Sequence, residues 1–490
     1  MKLESLASGA LAAVMLLSGC ADEPVAPVNA LDVASLSPNV MAASGLPTEE
    51  VPRHLVVFKS NRIPADFAQR VQRMGGKVEL TIKSIGAVSI SGLADASLAT
   101  LDKDSRVASV EPVAVLAMAE PALRMAPARA DAMPTSQDNP AGSFFFSRQW
   151  DMRAIGADVA WASGATGSSN VRVAILDTGI GYTHLDLAGR VDLAHSVSFV
   201  AIDDLYVGAF FPGAHPIADI GYHGTHVAAT VASNGLVAAG VTSRTTLMGV
   251  KVCSVVTGGC AGDAIFAGIE YAVDNGADII NMSLGGAFLK SANPGFVSLI
   301  NRLFDYAHQH DVTVVVSAGN EAADLDHNVY PDVNDVMTHF PSLYKTYCST
   351  PHNICVSATG PTASAGVNGP WTDVDAFASY SNFGRSAVSL AAPGGNDGGL
   401  VWAACSTFSL IQGLTVCQQN GFAVSLGGTS MASPHVAGVA ALVMAQRGKL
   451  KPSQVASILR TSADDLGQRG TDPFYGSGRV NAARAVGAIK

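Results

Sequence analysis

Charge is scarce in this chain and aromatic side chains are scarcer: of 490 residues, 14% are Asp, Glu, Lys or Arg and 7% are Phe, Trp or Tyr. The formal net charge is −10 and no long run of Lys or Arg occurs. The electrostatic footprint needed to grip a phosphate backbone is therefore missing, which excludes nucleic acid as a partner. No C-x-x-C pair occurs among the six cysteines beyond residue 20, so the spacing gives no support to a zinc site. The apolar stretch from Leu6 to Leu17 is too short for a stable membrane span. What the chain does have is 48% hydrophobic residues and 49 glycines, enough for a large core and more than one domain, in the manner of an α/β enzyme.

Lys2, the apolar stretch and the small residues before Cys20 read as an export signal over residues 1–20. Leu17-Ser18-Gly19-Cys20 resembles the lipobox of bacterial lipoproteins, which makes Cys20 the candidate lipidation site. The other cysteines, Cys253, Cys260, Cys348, Cys355, Cys405 and Cys417, are an even set in an exported chain, and disulfides are their expected use. Proximity suggests Cys253 with Cys260, Cys348 with Cys355 and Cys405 with Cys417, although the sequence leaves other connectivities open.

Residues 21–52 are rich in Ala, Pro, Ser and Val without a period and read as a flexible tether. Residues 53–117 follow the order strand, helix, strand, strand, helix, strand: HLVVF, PADFAQRVQRM, KVELTI, IGAVSIS, ADASLATLDK, VASVEPVAVL. That is a small α+β, ferredoxin-like split β-α-β unit. Residues 118–147, again Ala/Pro-rich and carrying Arg124 and Arg129, form a linker with the expected processing site. From 148 to 490, buried strand-like runs (VRVAIL, LMGVKV, DIINMS, VTVVVSAG) alternate with helices, one of them over Ala261 to Asn275. The expectation is a doubly wound, mostly parallel sheet.

In such a sheet, chemistry belongs beyond the carboxyl ends of the strands. Four polar residues punctuate those ends: Asp177 after VRVAIL, His223 opening HGTHVAAT, Asn320 closing VVVSAGN, and Ser430 in GGTSMASPHVAG. Acyl transfer needs such a set: a hydroxyl nucleophile, an imidazole to take its proton, a carboxylate to orient the imidazole, and oxyanion donors. DTGIG, HGTHVA, SLGG, SAGN and GTSMASPHVAG, in this order, resemble the signature blocks of the subtilase family, and they cover the chain from about Trp150 to its end. The resemblance implies a serine endopeptidase with Ser430 as nucleophile, His223 as general base and Asp177 as its orienting carboxylate. It also implies Asn320 as oxyanion donor, and Ser283, Leu284, Gly285 and Gly286 as a wall of the substrate cleft. No cofactor is implied for the chemistry. The implied partners are protein and peptide substrates and the chain's own N-terminal domain, acting as an inhibitory propeptide of a self-processed precursor. A monomer is expected, exported to the cell envelope or beyond, with membrane attachment only through a lipid on the precursor. Asp186 aligns with a carboxylate that binds calcium in many subtilases, but the partner loop is not recognisable and a solvated turn is an equal reading, so the metal ligands stay unknown.

Several competing readings are weaker. His223 and His226 form H-x-x-H but lack the following Glu of a zinc protease, so His226 reads as a packed structural histidine. DTGIG after a strand suggests a dinucleotide loop until His184 occupies the place of its last glycine. Asp324, Asp326, Asp332 and Asp335 do not follow the order of a calcium loop and read as an acidic surface insertion. The missing G-x-S-x-G and the triad order exclude an α/β-hydrolase esterase. A silent scaffold on the same fold is opposed by all four chemical residues being intact.

Overall fold

The computed structural model describes residues 36–37, 45–117, 126–131, 139–289, 294–331, 337–339, 343–345 and 347–489. Cys20 and the export signal, Arg124, Asp332 and Asp335 lie outside the described residues.

The N-terminal unit contains β1 (Arg53–Phe58), α1 (Phe67–Arg73), β2 (Lys77–Ile82), β3 (Ala87–Ser91), α2 (Asp95–Asp102) and β4 (Val107–Pro112). Its antiparallel sheet has the order β2-β3-β1-β4. Period-2 alternation splits the apolar run of β1 between two cores. Val56 and Phe58 join Phe67, Val71, Val88 and Ile90 in the unit's own core. Leu55 and Val57 point the other way, with Ile82, Ile85 and Ala87, into a core shared with the second unit. After β4, a short strand β5 (Val115–Ala117) leaves the sheet, and β6 (Ala126–Arg129) follows.

The second unit is built on a seven-stranded parallel sheet. Its strands are β7 (Arg172–Asp177), β8 (Val197–Ser198), β9 (Thr246–Lys251), β12 (Ile279–Met282), β13 (Thr313–Ser317), β14 (Asn353–Thr359) and β15 (Leu390–Pro393). Their order is β15-β14-β13-β12-β7-β9-β8. The chain runs outward from β7 on one side and then returns to its other side at β12, so the winding reverses between these two strands. Both faces are covered: Val173 and Ile175 of β7 belong to one core, Ala174 and Leu176 to the other. Helices α3 (Ala201–Phe210), α4 (His223–Val231), α5 (Gly262–Asp274), α6 (Pro294–Gln309) and α7 (Thr429–Arg447) pack around the sheet, α7 buried on all sides from Thr429 to Met444. Helix α5 matches the expected span, and Ile265, Phe266, Ile269, Ala272 and Val273 are all buried. A hairpin of β10 (Cys253–Ser254) and β11 (Gly259–Ala261) precedes α5. A second hairpin, β16 (Val401–Ala404) with β17 (Phe422–Leu426), precedes α7.

Two segments read from sequence as featureless are engaged. In the tether, Leu36 is buried against the second unit and Leu46 packs against the same core. In the linker, β6 adds to the edge of β17, pairing Arg129 with Phe422 and Ala128 with Ala423. Neither segment has a hydrophobic period, because each contributes a few side chains to a surface built elsewhere. The structure joins Cys253 to Cys260, Cys348 to Cys355 and Cys405 to Cys417.

Candidate active site

Asp177 is the last residue of β7, at the point where the winding reverses, and is 1% exposed. Its Oδ1 accepts from the main-chain N–H of Thr178 and from Nδ1–H of His223, each at 2.7 Å. A carboxylate can only accept, so this bond fixes the proton on Nδ1 of a neutral imidazole and leaves Nε2 as its basic nitrogen.

Residues that sequence reading passed over hold the imidazole there. Asp219 is fully buried, accepts from the N–H and Oγ1–H of Thr225 through Oδ2, and from Thr178 Oγ1–H through Oδ1. Thr178 Oγ1 in turn accepts from Gly224 N–H. Asp219 thus ties the first turn of α4 to the end of β7, where a carboxylate also meets the positive end of the helix. Burial raises the pKa of Asp219, opposed by its hydrogen bonds from Thr225. Gly224 must be glycine, because a Cβ there would lie 2.2 Å from the Gly179 carbonyl oxygen. A signal for this clamp exists in the sequence: Asp219 stands four residues before His223, and both threonines lie inside the DTG and HGTH blocks.

Ser430 is the second residue of α7, preceded by Gly428 at φ 148° and ψ 161°, a conformation open only to glycine. Ser430 and His223 line one pocket with Ser283, Leu284, Gly285, Asn320 and Glu321. The Ser430 hydroxyl donates to the Ser283 carbonyl at a long 3.4 Å. Asn320 Oδ1 accepts from Thr429 N–H and from Thr429 Oγ1–H, both at 2.9 Å, while Oγ1 accepts from Gly319 N–H. With its oxygen bound to Thr429, the amide nitrogen is the donor end of the Asn320 side chain. Glu321 is a further pocket residue that sequence reading missed. Burial raises its pKa, against a hydrogen bond from Asn382.

Strand β5 lies against the Ser283–Gly286 run. It pairs antiparallel with β11, Leu116 opposite Cys260, and the buried Leu116 packs over Gly286. The SLGG run therefore touches Ser430 at Ser283 and the N-terminal unit at Gly286.

His226 is buried with Nε2 on the Val401 carbonyl, and desolvation drives its pKa down to about 3, so it is a neutral packed histidine. Asp186 does not fit the calcium reading weighed for it. Its carboxylate accepts from the main-chain N–H groups of Leu236, Val237 and Ala238, and these donors present positive charge where a cation would need oxygens. The nearby Gln149 side chain accepts from Ala239 N–H and donates to the Ala239 carbonyl. Asp324 and Asp326 of the insertion are bound to His327 and Ser386. Among the described residues, no cluster of three His, Cys, Asp or Glu side chains is placed to hold a metal.

Known proteins match this architecture. The family model described as the subtilase family matches residues 168–478. Subtilisin J of Geobacillus stearothermophilus is 29% identical over 453 residues, covering 91% of this chain and 93% of its own, so the similarity extends N-terminal of the family match. Thermitase of Thermoactinomyces vulgaris is 32% identical over 352 residues, 71% of this chain and 99% of its own. Among solved structures, the epidermin leader peptide processing serine protease of Staphylococcus aureus superposes with a TM-score of 0.67 at 19% identity, over 89% of this chain and 98% of that one, a likeness of fold. With the family match spanning more than half of a chain whose sheet ends carry Asp177, His223, Asn320 and Ser430, this protein belongs to the subtilase family of serine endopeptidases.

Proposed function

We propose that the chain is a self-processed, exported endopeptidase in which Ser430 is the nucleophile. Ser430 Oγ attacks the substrate carbonyl carbon as its proton passes to His223 Nε2, and Asp177 stabilises the imidazolium through the Nδ1–H bond. The oxyanion is received by the Asn320 amide and by the Ser430 N–H at the start of α7, where the helix dipole favours negative charge. His223 then returns the proton to the leaving amine as the C–N bond breaks, and water releases the acyl group from Ser430 by the reverse sequence. The observation carrying this reading is the 2.7 Å bond from His223 to a buried Asp177, beside a pocket that also holds Ser430.

Residues 53–117 act as an intramolecular inhibitor: the sheet docks on α5 and α6, and β5 lies along the cleft edge that an extended peptide would use. The enzyme works as a monomer outside the cytoplasm, and Cys20 carries a lipid on the precursor. Wild type and Ser430→Ala, made as full chains, test the reading together. Wild type should shorten by its N-terminal unit and digest casein, and the mutant should stay full length and inert. A mutant that still processes itself would remove Ser430 from the role of nucleophile.

A further inference from the structure

We propose that Leu36, Ser37 and Pro47 form a second clasp, separate from strand β5, that keeps the N-terminal unit on the catalytic domain after the linker is cut. The inference rests on the reading of residues 53–117 as the inhibitory unit. Leu36 is 5% exposed and forms an antiparallel bridge to Ile411, with Ser37 N–H donating to the Leu410 carbonyl at 3.0 Å. Leu410 N–H itself donates to the carbonyl of Ile220, three residues before His223. The segment that receives Leu36 is closed by the Cys405–Cys417 disulfide, so the clasp is seated on a fixed loop beside the His223 turn. Eleven residues on, the Pro47 carbonyl accepts from the hydroxyl of buried Tyr206 in α3 at 3.3 Å. The chain then enters β1 through Arg53, paired with Glu50 and with Asp263 of α5.

These contacts all lie before β1 or at its first residue, whereas β5 and the linker leave the other end of the unit. A cut between β5 and β6 severs neither the clasp, nor the sheet face, nor β5 from β11. Three stations on one chain rebind one another at high local concentration, so release is slowed beyond what the cleft contact achieves alone. A lipid at Cys20, on the same side of the cut as the clasp, would then hold the nicked enzyme at the membrane until the arm is displaced or trimmed.

The test uses the full chain carrying Ser430→Ala, so that no result depends on its own activity, with a site-specific protease sequence inserted in the linker between 118 and 125. After the linker is cut, gel filtration with mass detection follows how long the N-terminal fragment stays with the catalytic domain. The fragment should leave at least about tenfold faster when Leu36→Asp is added, and equally fast from a chain beginning at residue 45, which removes the first contact without introducing a charge. Equal retention in all three chains overturns the clasp and leaves the inhibitory unit intact. Immediate loss from all three overturns the clasp and the reading beneath it.

Discussion

The main-chain carbonyl of Ser430 would ordinarily accept from the N–H four residues along the helix, but that residue is Pro434 and has none. Ser283 takes its place: Oγ–H donates to the Ser430 carbonyl at 2.7 Å, supported by Asn281 Nδ2–H and by the Ser433 hydroxyl. Ser283→Ala leaves a buried carbonyl without a partner, and the expected cost is about 1–3 kcal/mol. Urea midpoints in a Ser430→Ala background, where self-digestion cannot interfere, measure it; unchanged midpoints would mean that another donor supplies the bond. His226 sets a pH limit on the same core. Its folded pKa of about 3 lies below the ordinary 6.5, through desolvation first and the neighbouring His223 and His435 next. The unfolded chain therefore binds more protons between these values, so stability is full above about pH 6.5 and falls as pH drops toward 3. The loss reaches on the order of 5 kcal/mol. His226→Gln keeps a donor for the Val401 carbonyl without titrating, and it should flatten that slope, though burial of His184 leaves part of it. A slope identical to the parent's would place the acid sensitivity elsewhere.

Strands and helices of the sheet were legible because burial on both faces writes continuous apolar runs, and Asp177, His223 and Ser430 were legible because chemistry constrains the residues around them. Loop contacts were not. Asp186 shows why: its partners are three main-chain N–H groups of residues 236–238, which leave no mark on residue identity. The same carboxylate therefore suggested calcium in the sequence and is neutralised by the loop in the structure. The arrangement predicts equal melting temperatures in EDTA and in millimolar calcium for the Ser430→Ala chain. Asp186→Asn should melt lower in both, because it weakens charge-assisted bonds worth about 1.5–3 kcal/mol. A calcium-dependent gain in melting temperature that disappears in Asp186→Asn would show the loop reversing its donors around an ion. Thr178, Thr225 and Asp219 were missed for another reason: each reads as an ordinary polar residue until the fold brings both threonines within 3.0 Å of the Asp219 carboxylate.

Across the whole molecule, the decisive surface is the outer face of the N-terminal sheet. The run Leu55-Val56-Val57-Phe58 was visible as a buried strand, yet a unit of this size with both helices on one side must leave the other face to be covered by something else. The catalytic helices cover it, and the interface is sealed by Ser89 and Arg53 on Asp263 and by the Lys83 and Ser84 N–H groups on Glu270. Glu111 adds a carboxylate on Gly295 N–H in the first turn of α6, the favourable sign for that helix end. Val57→Asp drives a charge into this face while leaving Val56 and Phe58, the unit's own core, in place. Burying that charge unpaired costs several kcal/mol, more than the docked state can absorb without opening. Peptide hydrolysis should therefore begin earlier after synthesis in Val57→Asp, and free N-terminal fragment should appear with it. Val51→Asp, at a position 66% exposed in the same stretch of chain, should match wild type. If the two variants behave alike, the proposed inhibition resides in β5 alone and the sheet face serves only to position that strand.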